Sequence, residues 1–301
     1  MKLNHFWQTD RQREAVSGYL FLAPTILIGG IFLLLPIVFA VILAFYKVQL
    51  LGDVSFQFRG LRNFTRMLED ERVWIALKNT AQYVVVVVPI QTILALALAL
   101  ALNAHIRGRS LFRVVFFLPT VTSSAVLTLI FMWIYNANGL LNEVLAFFRL
   151  PTYNWLGDPT VALRGIMIMN IWATAPLFMV IYLAALQEIP ESLYEAAKLD
   201  GASSWERLFY ITLPFLQPVT FFVVVMGVIG TFQLFDQSYI FSAGSGGPNN
   251  STLTIVLLIY QYAFKSLDMG YALALTLMLA VVLISATLLQ RWLFREERLD
   301  S

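Results

Sequence analysis

The sequence predicts an all-α integral membrane protein of six transmembrane helices, and three observations carry that expectation. Hydrophobic residues make up 59% of the 301 and charged residues only 13%, where a soluble domain carries about 25% charge. The mean hydropathy is +0.75. Apolar runs recur that are long enough to cross about 30 Å of hydrocarbon at about 1.5 Å per helical residue.

The first run, near 18–46, follows a polar segment, 1–17, that carries Lys2, Arg11 and Arg13. It is about twice as long as the apolar core of a signal peptide, so it reads as a retained span. The others lie near 80–103, 111–135, 161–187, 214–241 and 270–294, leaving a polar loop at 188–213 and a tail at 295–301. Tyr19, Tyr46, Tyr135 and Trp292 suit the headgroup levels. Basic residues orient the spans: the tight cluster Arg107, Arg109 and Arg113, with Arg207, Arg291, Arg295 and Arg298, favours both termini in the cytoplasm. The basic segment from Arg59 to Lys78 runs against that rule and reads as an outer connector or a short amphipathic helix. Pro24, Pro36, Pro89, Pro119, Pro176, Pro214 and Pro218 lie within or at the ends of spans, where each removes a backbone donor and tends to bend the helix.

Several chemistries are excluded at once. With no Cys there are no disulfides, thiolate nucleophiles or Cys-ligated metals. His5 and His105 stand apart, without metal-ligand spacing. No phosphate-binding loop of the G-x-x-x-x-G-K-[ST] type occurs, and the glycines around Gly244 to Pro248 lack its lysine. No nucleophile, base and orienting group form a set, so the chain is not expected to be an enzyme.

The loop 188–213 carries its own local instructions. Pro190 suits a first helical turn, Glu191 favours the helix dipole, and Leu193, Ala196, Ala197 and Leu199 can form an apolar face. A helix of about nine residues follows from that pattern. Gly201 supplies a positive φ for a sharp exit, and Ser203 with Glu206 has the spacing of a capping box that opens a second short helix. The small Ala196 and Ala197 admit a close neighbour, and Glu195 offers it a carboxylate, which suits a docking surface.

Glu195-Ala196-Ala197, Gly201 and Ile211-x-Leu213-Pro214, in this register before the fifth of six spans, resemble the cytoplasmic coupling loop of ABC (ATP-binding cassette) importer permeases. Gly60 to Phe64, Trp74 to Thr80, Phe117 to Pro119, Gly246 to Pro248 and Tyr260 to Phe264 are similar to signatures of the carbohydrate-uptake branch, the maltose and glycerol-phosphate type. The resemblance implies a type I ABC importer permease fold in a bacterial inner membrane. It also implies a second permease subunit, two ATPase subunits that carry the ATP and Mg, and an extracytoplasmic solute-binding protein. On that resemblance Glu195, Ala196, Ala197, Leu199, Asp200 and Gly201 form the ATPase contact.

Polar groups inside spans are expensive in hydrocarbon and tend to face a cavity. Thr120, Thr122, Ser123 and Ser124 lie in the third run, Asn170 and Thr174 in the fourth, and Gln233, Asp236 and Gln237 in the fifth. Asn170 and Thr174 share a helix face. Hydroxyls, amides and a carboxylate suit a neutral polyhydroxyl solute, on which Trp172, Phe232 or Phe235 could stack. Against this, Ser and Thr often bond their own helix backbone. By resemblance, Ser124, Asn170 and Thr174 align with solute-facing positions of sugar permeases; Phe232, Gln233 and Asp236 complete the expected substrate pathway. No span carries Arg or Lys near its centre, which favours a sugar, oligosaccharide or glycosylated polyol over glycerol phosphate. An ion-coupled secondary transporter is the alternative from another class, with one interior carboxylate as its slender basis.

Overall fold

The computed structural model describes residues 4–49, 55–104 and 109–296; Lys2, His105, Arg107, Arg298 and the rest of the tail beyond Glu296 lie outside them. In chain order the elements begin with α1 (Asn4–Gly29), a π-helical turn (Gly30–Leu34) and α2 (Leu35–Leu43). Strands β1 (Tyr46–Gln49) and β2 (Ser55–Phe58) lead to α3 (Arg62–Glu69) and α4 (Glu71–Asn103). Then come α5 (Arg109–Val121), α6 (Ser124–Ile134), α7 (Leu140–Phe147), α8 (Ala162–Glu188), α9 (Glu191–Leu199) and α10 (Ser204–Arg207). After a second π-helical turn (Leu208–Thr212) follow α11 (Leu213–Phe232), α12 (Asp236–Phe241), α13 (Ile255–Tyr260), a third such turn (Gln261–Lys265) and α14 (Met269–Glu296).

Among the described residues, five stretches are long and apolar enough to cross a membrane: Glu14–Leu43, Glu71–Asn103, Ala162–Glu188, Ser204–Phe241 and Met269–Phe294. A sixth is the pair Val114–Val121 and Ser124–Ile134, bent by 108° at the break between them. The third run is therefore not the single helix expected over 111–135. Pro119 removes a backbone donor there, and the Thr120 and Thr122 hydroxyls donate to the carbonyls of Phe117 (2.7 Å) and Leu118 (3.1 Å). The fifth run also breaks, between Phe232 and Asp236, where Phe235 leaves helical geometry at φ −132° and ψ −63°.

The fold is also not wholly helical. Past Leu43 the chain alternates Tyr46-Lys47-Val48-Gln49, and this strand pairs antiparallel with Ser55–Phe58, Tyr46 opposite Phe58. The alternation was hidden at the end of an apolar run. The basic segment after it contains α3 and the first turns of α4, which Asp70 caps by accepting from the Arg72 N–H (3.0 Å).

The chain divides into two compact units. In the unit of 1–66 and 262–277, the Asn63 amide donates to the carbonyls of Ala44 (2.7 Å) and Tyr46 (3.0 Å), tying α3 to the end of the first span. Arg66 pairs with Asp268 at 2.6 Å and lies 4.0 Å over the Tyr271 ring. In the unit of 67–261 and 278–301, α4 packs along α8, with Ala95 and Ala99 against Ala175, Met179 and Tyr182. Small residues let the two backbones approach where hydrocarbon supplies no hydrophobic drive of its own. A second core gathers Tyr83, Val87, Tyr135, Trp155, Ile166, Leu234 and Phe241.

The connection from α6 to α8 is ordered by one amide. Asn142 donates to the carbonyls of Ala137 (3.1 Å) and Tyr153 (2.8 Å), and its oxygen accepts from the Tyr153 N–H (3.2 Å) and the Trp155 indole (3.1 Å). Nearby, hydrogen bonds from the Thr160 N–H and hydroxyl hold the Asp158 carboxyl below its usual range. Asn142→Leu removes four bonds and strands the buried Trp155 indole donor, so the chain should lose about 2–4 kcal/mol; thermal unfolding of the detergent-purified protein, unchanged from wild type, would refute this.

Candidate functional site

Two places in the unit of 67–261 and 278–301 hold the residues singled out by sequence. The first is the polar loop between α8 and α11. Its first helix, α9, has nine residues and leaves helical geometry through Gly201 at φ +83°, a conformation that strains any side chain. The capping box then closes: the Ser203 hydroxyl accepts from the Glu206 N–H (3.3 Å) and the Ser203 N–H donates to the Glu206 carboxylate (2.6 Å). The π-helical turn Leu208–Thr212 carries α10 into α11.

Tyr194 anchors this unit. Its hydroxyl lies 2.9 Å from the Thr212 hydroxyl, and its ring and Ile211 pack on the core of Leu186, Ile189 and Leu216. The apolar face therefore differs from the one expected. Tyr194 and Ala197 turn inward, while Glu195, Ala196, Leu199, Asp200 and Gly201 stand exposed, Leu199 by 90%. An apolar side chain presented to that extent, beside a carboxylate and on a helix held from behind, makes a small rigid contact surface.

The second place is the set of interior polar groups. The Thr174 hydroxyl donates to the Gln91 side-chain oxygen (2.8 Å) across to α4, or to the Asn170 carbonyl at the same distance (2.8 Å) within α8. Asn170 is half-buried, and its own amide oxygen reaches the Thr174 hydroxyl only at 3.5 Å. The Ser124 hydroxyl is buried without a partner at the first turn of α6. Gln233 and Asp236 are exposed on either side of the break in the fifth run; Phe232 packs on Val84, Val88 and Val228. The helix α12 that Asp236 opens packs against α6, which Ser124 opens. No hydrogen bond among the described residues joins Asn170 or Thr174 to Gln233 or Asp236. Also among them, no group of three or more His, Cys, Asp or Glu could hold a metal ion.

Residues 91–298 match the family described as binding-protein-dependent transport system inner membrane component. This chain belongs to that family. The lactose transport system permease protein LacF of Rhizobium radiobacter is 39% identical over 94% of this chain and 95% of its own length. The trehalose/maltose transport system permease protein MalF of Thermococcus litoralis is 34% identical over 95% and 96%. The solved structure of a bacterial alginate ABC transporter, in complex with an alginate pentasaccharide-bound periplasmic protein, has a chain that superposes with a TM-score of 0.82. It covers 96% of each chain at 23% identity, a likeness of fold.

The chain is thus an inner-membrane permease subunit of a binding-protein-dependent importer, and not an enzyme. The ion-coupled alternative falls with that assignment. Within the permease, sequence reasoning missed Gln91. It is 1% exposed in the middle of α4, yet bonded across to α8. An amide in the run from Val84 to Leu102 was the available signal. On its other side lies Gly227 of α11, where an added Cβ would stand 2.6 Å from the Gln91 amide nitrogen. Three spans meet at this amide because one of them lacks a side chain.

Gly227→Ala should therefore cost about 1–3 kcal/mol of stability through overpacking, and Gly227→Ala with Gln91→Ala should regain part of it. Melting curves of both purified variants test the pairing; a double variant no better than Gly227→Ala would disprove it.

Proposed function

We propose that this permease forms one half of the pore of an ATP-driven sugar importer and works by alternating access, with both termini in the cytoplasm. A second, different permease subunit completes the pore. Two ATPase subunits, which carry the ATP and Mg, dock on the two coupling loops, and an extracytoplasmic binding protein delivers the solute. The observation that carries the coupling reading is the exposed face of α9, with Glu195 and Leu199 one helical turn apart on a helix anchored by Tyr194. An ATPase groove that takes Leu199 and pairs with Glu195 would move α9 rigidly. Through Ile211 and Thr212 it would then move α11.

Membership of the family and the names of the relatives support the sugar class, since lactose and trehalose/maltose are what those proteins are named for. The amides and carboxylate of the interior agree with it, and the absence of Arg or Lys near span centres weighs against the glycerol-phosphate alternative. Asn170, Gln233 and Asp236 are the side chains offered to solute hydroxyls, with Ser124 beside them and Phe232 as the ring. Thr174 contributes through the bond that holds the face of α8 to Gln91.

Glu195→Lys should abolish co-purification of an ATPase with the tagged chain in mild detergent while retaining the second permease; an ATPase retained by the variant would overturn the assignment of α9. Asn170→Leu and Asp236→Leu should each lower ATP-dependent uptake of disaccharide at least tenfold with the subunits still assembled. Uptake at the wild-type rate by both variants would remove these residues from the pathway.

A further inference from the structure

At and beyond the break in the fifth run stand three aromatic rings, of which only Phe235 was considered above. Phe235, just before α12, and Tyr239 within it are four residues apart, and Tyr260 meets them from the end of α13. The ring centroids are 5.4 Å apart for Phe235 and Tyr239, 5.1 Å for Phe235 and Tyr260, and 5.3 Å for Tyr239 and Tyr260.

The rings are held by backbone that is itself pinned. The Thr254 hydroxyl donates to the Leu234 carbonyl (2.8 Å), fixing the start of α13 to the break. The Ser238 hydroxyl donates to the Thr252 carbonyl, fixing α12 to the same loop. What they are not is core. Leu253, Ile255, Leu257 and Leu258 next to them are wholly buried, whereas all three rings are half-buried. Gln233 and Asp236, which flank Phe235 along the chain, are exposed, and such groups would be too costly against lipid.

Half-open rings beside an amide and a carboxylate match one ligand chemistry. A pyranose has a face of C–H bonds, which suits the negative face of an aromatic ring, and a rim of hydroxyls, which a carboxylate and an amide accept and donate to. We propose that Phe235, Tyr239 and Tyr260 form a stacking platform for one pyranose ring in the solute path, with Asp236 and Gln233 holding its hydroxyls. The platform rests on the sugar-importer reading and names where a ring sits within it. Rings pre-set by the Thr254 and Ser238 bonds lose little freedom when sugar arrives, so the platform is ready without rearrangement.

The test uses the complete transporter, purified with its partner subunits and binding protein and reconstituted in liposomes. Labelled maltose, lactose and trehalose are the probes. Tyr260→Leu and Tyr239→Leu keep apolar bulk and remove the ring, so ATP-driven uptake should fall about three- to tenfold, and Tyr260→Phe should recover most of the loss. Saturation-transfer NMR of the same disaccharides on the purified complex should show one C–H face receiving saturation from wild type and not from Tyr260→Leu. Wild-type uptake by both leucine variants would overturn the platform alone, whereas a wild-type transporter that takes up none of the three sugars would overturn the sugar reading with it.

Discussion

Hydrocarbon offers a backbone no hydrogen-bond partner, and the rest of this structure depends on how the chain meets that constraint where its helices break. Where two of the spans break, hydroxyls bond to the backbone: Thr120 and Thr122 at the bend of the third run and Thr254 at the break of the fifth, while Thr231 does the same within α11. Most interior threonines are thereby committed to backbone. The polar groups left for the proposed solute path are the amides and carboxylate, Asn170, Gln233 and Asp236, with the unpartnered Ser124 hydroxyl.

The same constraint explains why the breaks are useful. A straight fifth span would carry Gln233 and Asp236 on a continuous helix surface. The interruption at Gln233 to Phe235 instead turns both outward and swings Phe235 and Tyr239 against Tyr260. Exposed polar side chains and half-buried rings thus lie within a few residues of the point where the helix stops.

At the other end of α11 the chain solves a mechanical problem. A helix of nine residues is marginal alone, yet the proposed coupling to an ATPase needs it stiff. Tyr194 packed on the core, the Gly201 exit and the Ser203–Glu206 box each remove freedom from α9 and α10, leaving Leu199 and Glu195 in front. Between the two ends, Gln91 seated against Gly227 and bonded to Thr174 joins α4, α8 and α11, so a displacement of one span is felt by the other two.

Local chemistry was legible in the sequence. Runs of apolar residues set the membrane fold; Pro190, Gly201, Ser203 and Glu206 set the two short helices and the turn between them, because capping and positive φ depend on neighbours a few residues apart. The register of Glu195, Gly201 and Pro214 pointed to the family before any fold was seen. What only the tertiary structure decided was where side chains hundreds of atoms apart along the chain come to meet. Whether Leu199 faced in or out depended on Tyr194 finding Thr212; Gln91 gained meaning from the missing side chain of Gly227; Tyr260 joined Phe235 because Thr254 reached Leu234. Those are contacts across space, and a one-dimensional pattern holds the residues for them without the distances.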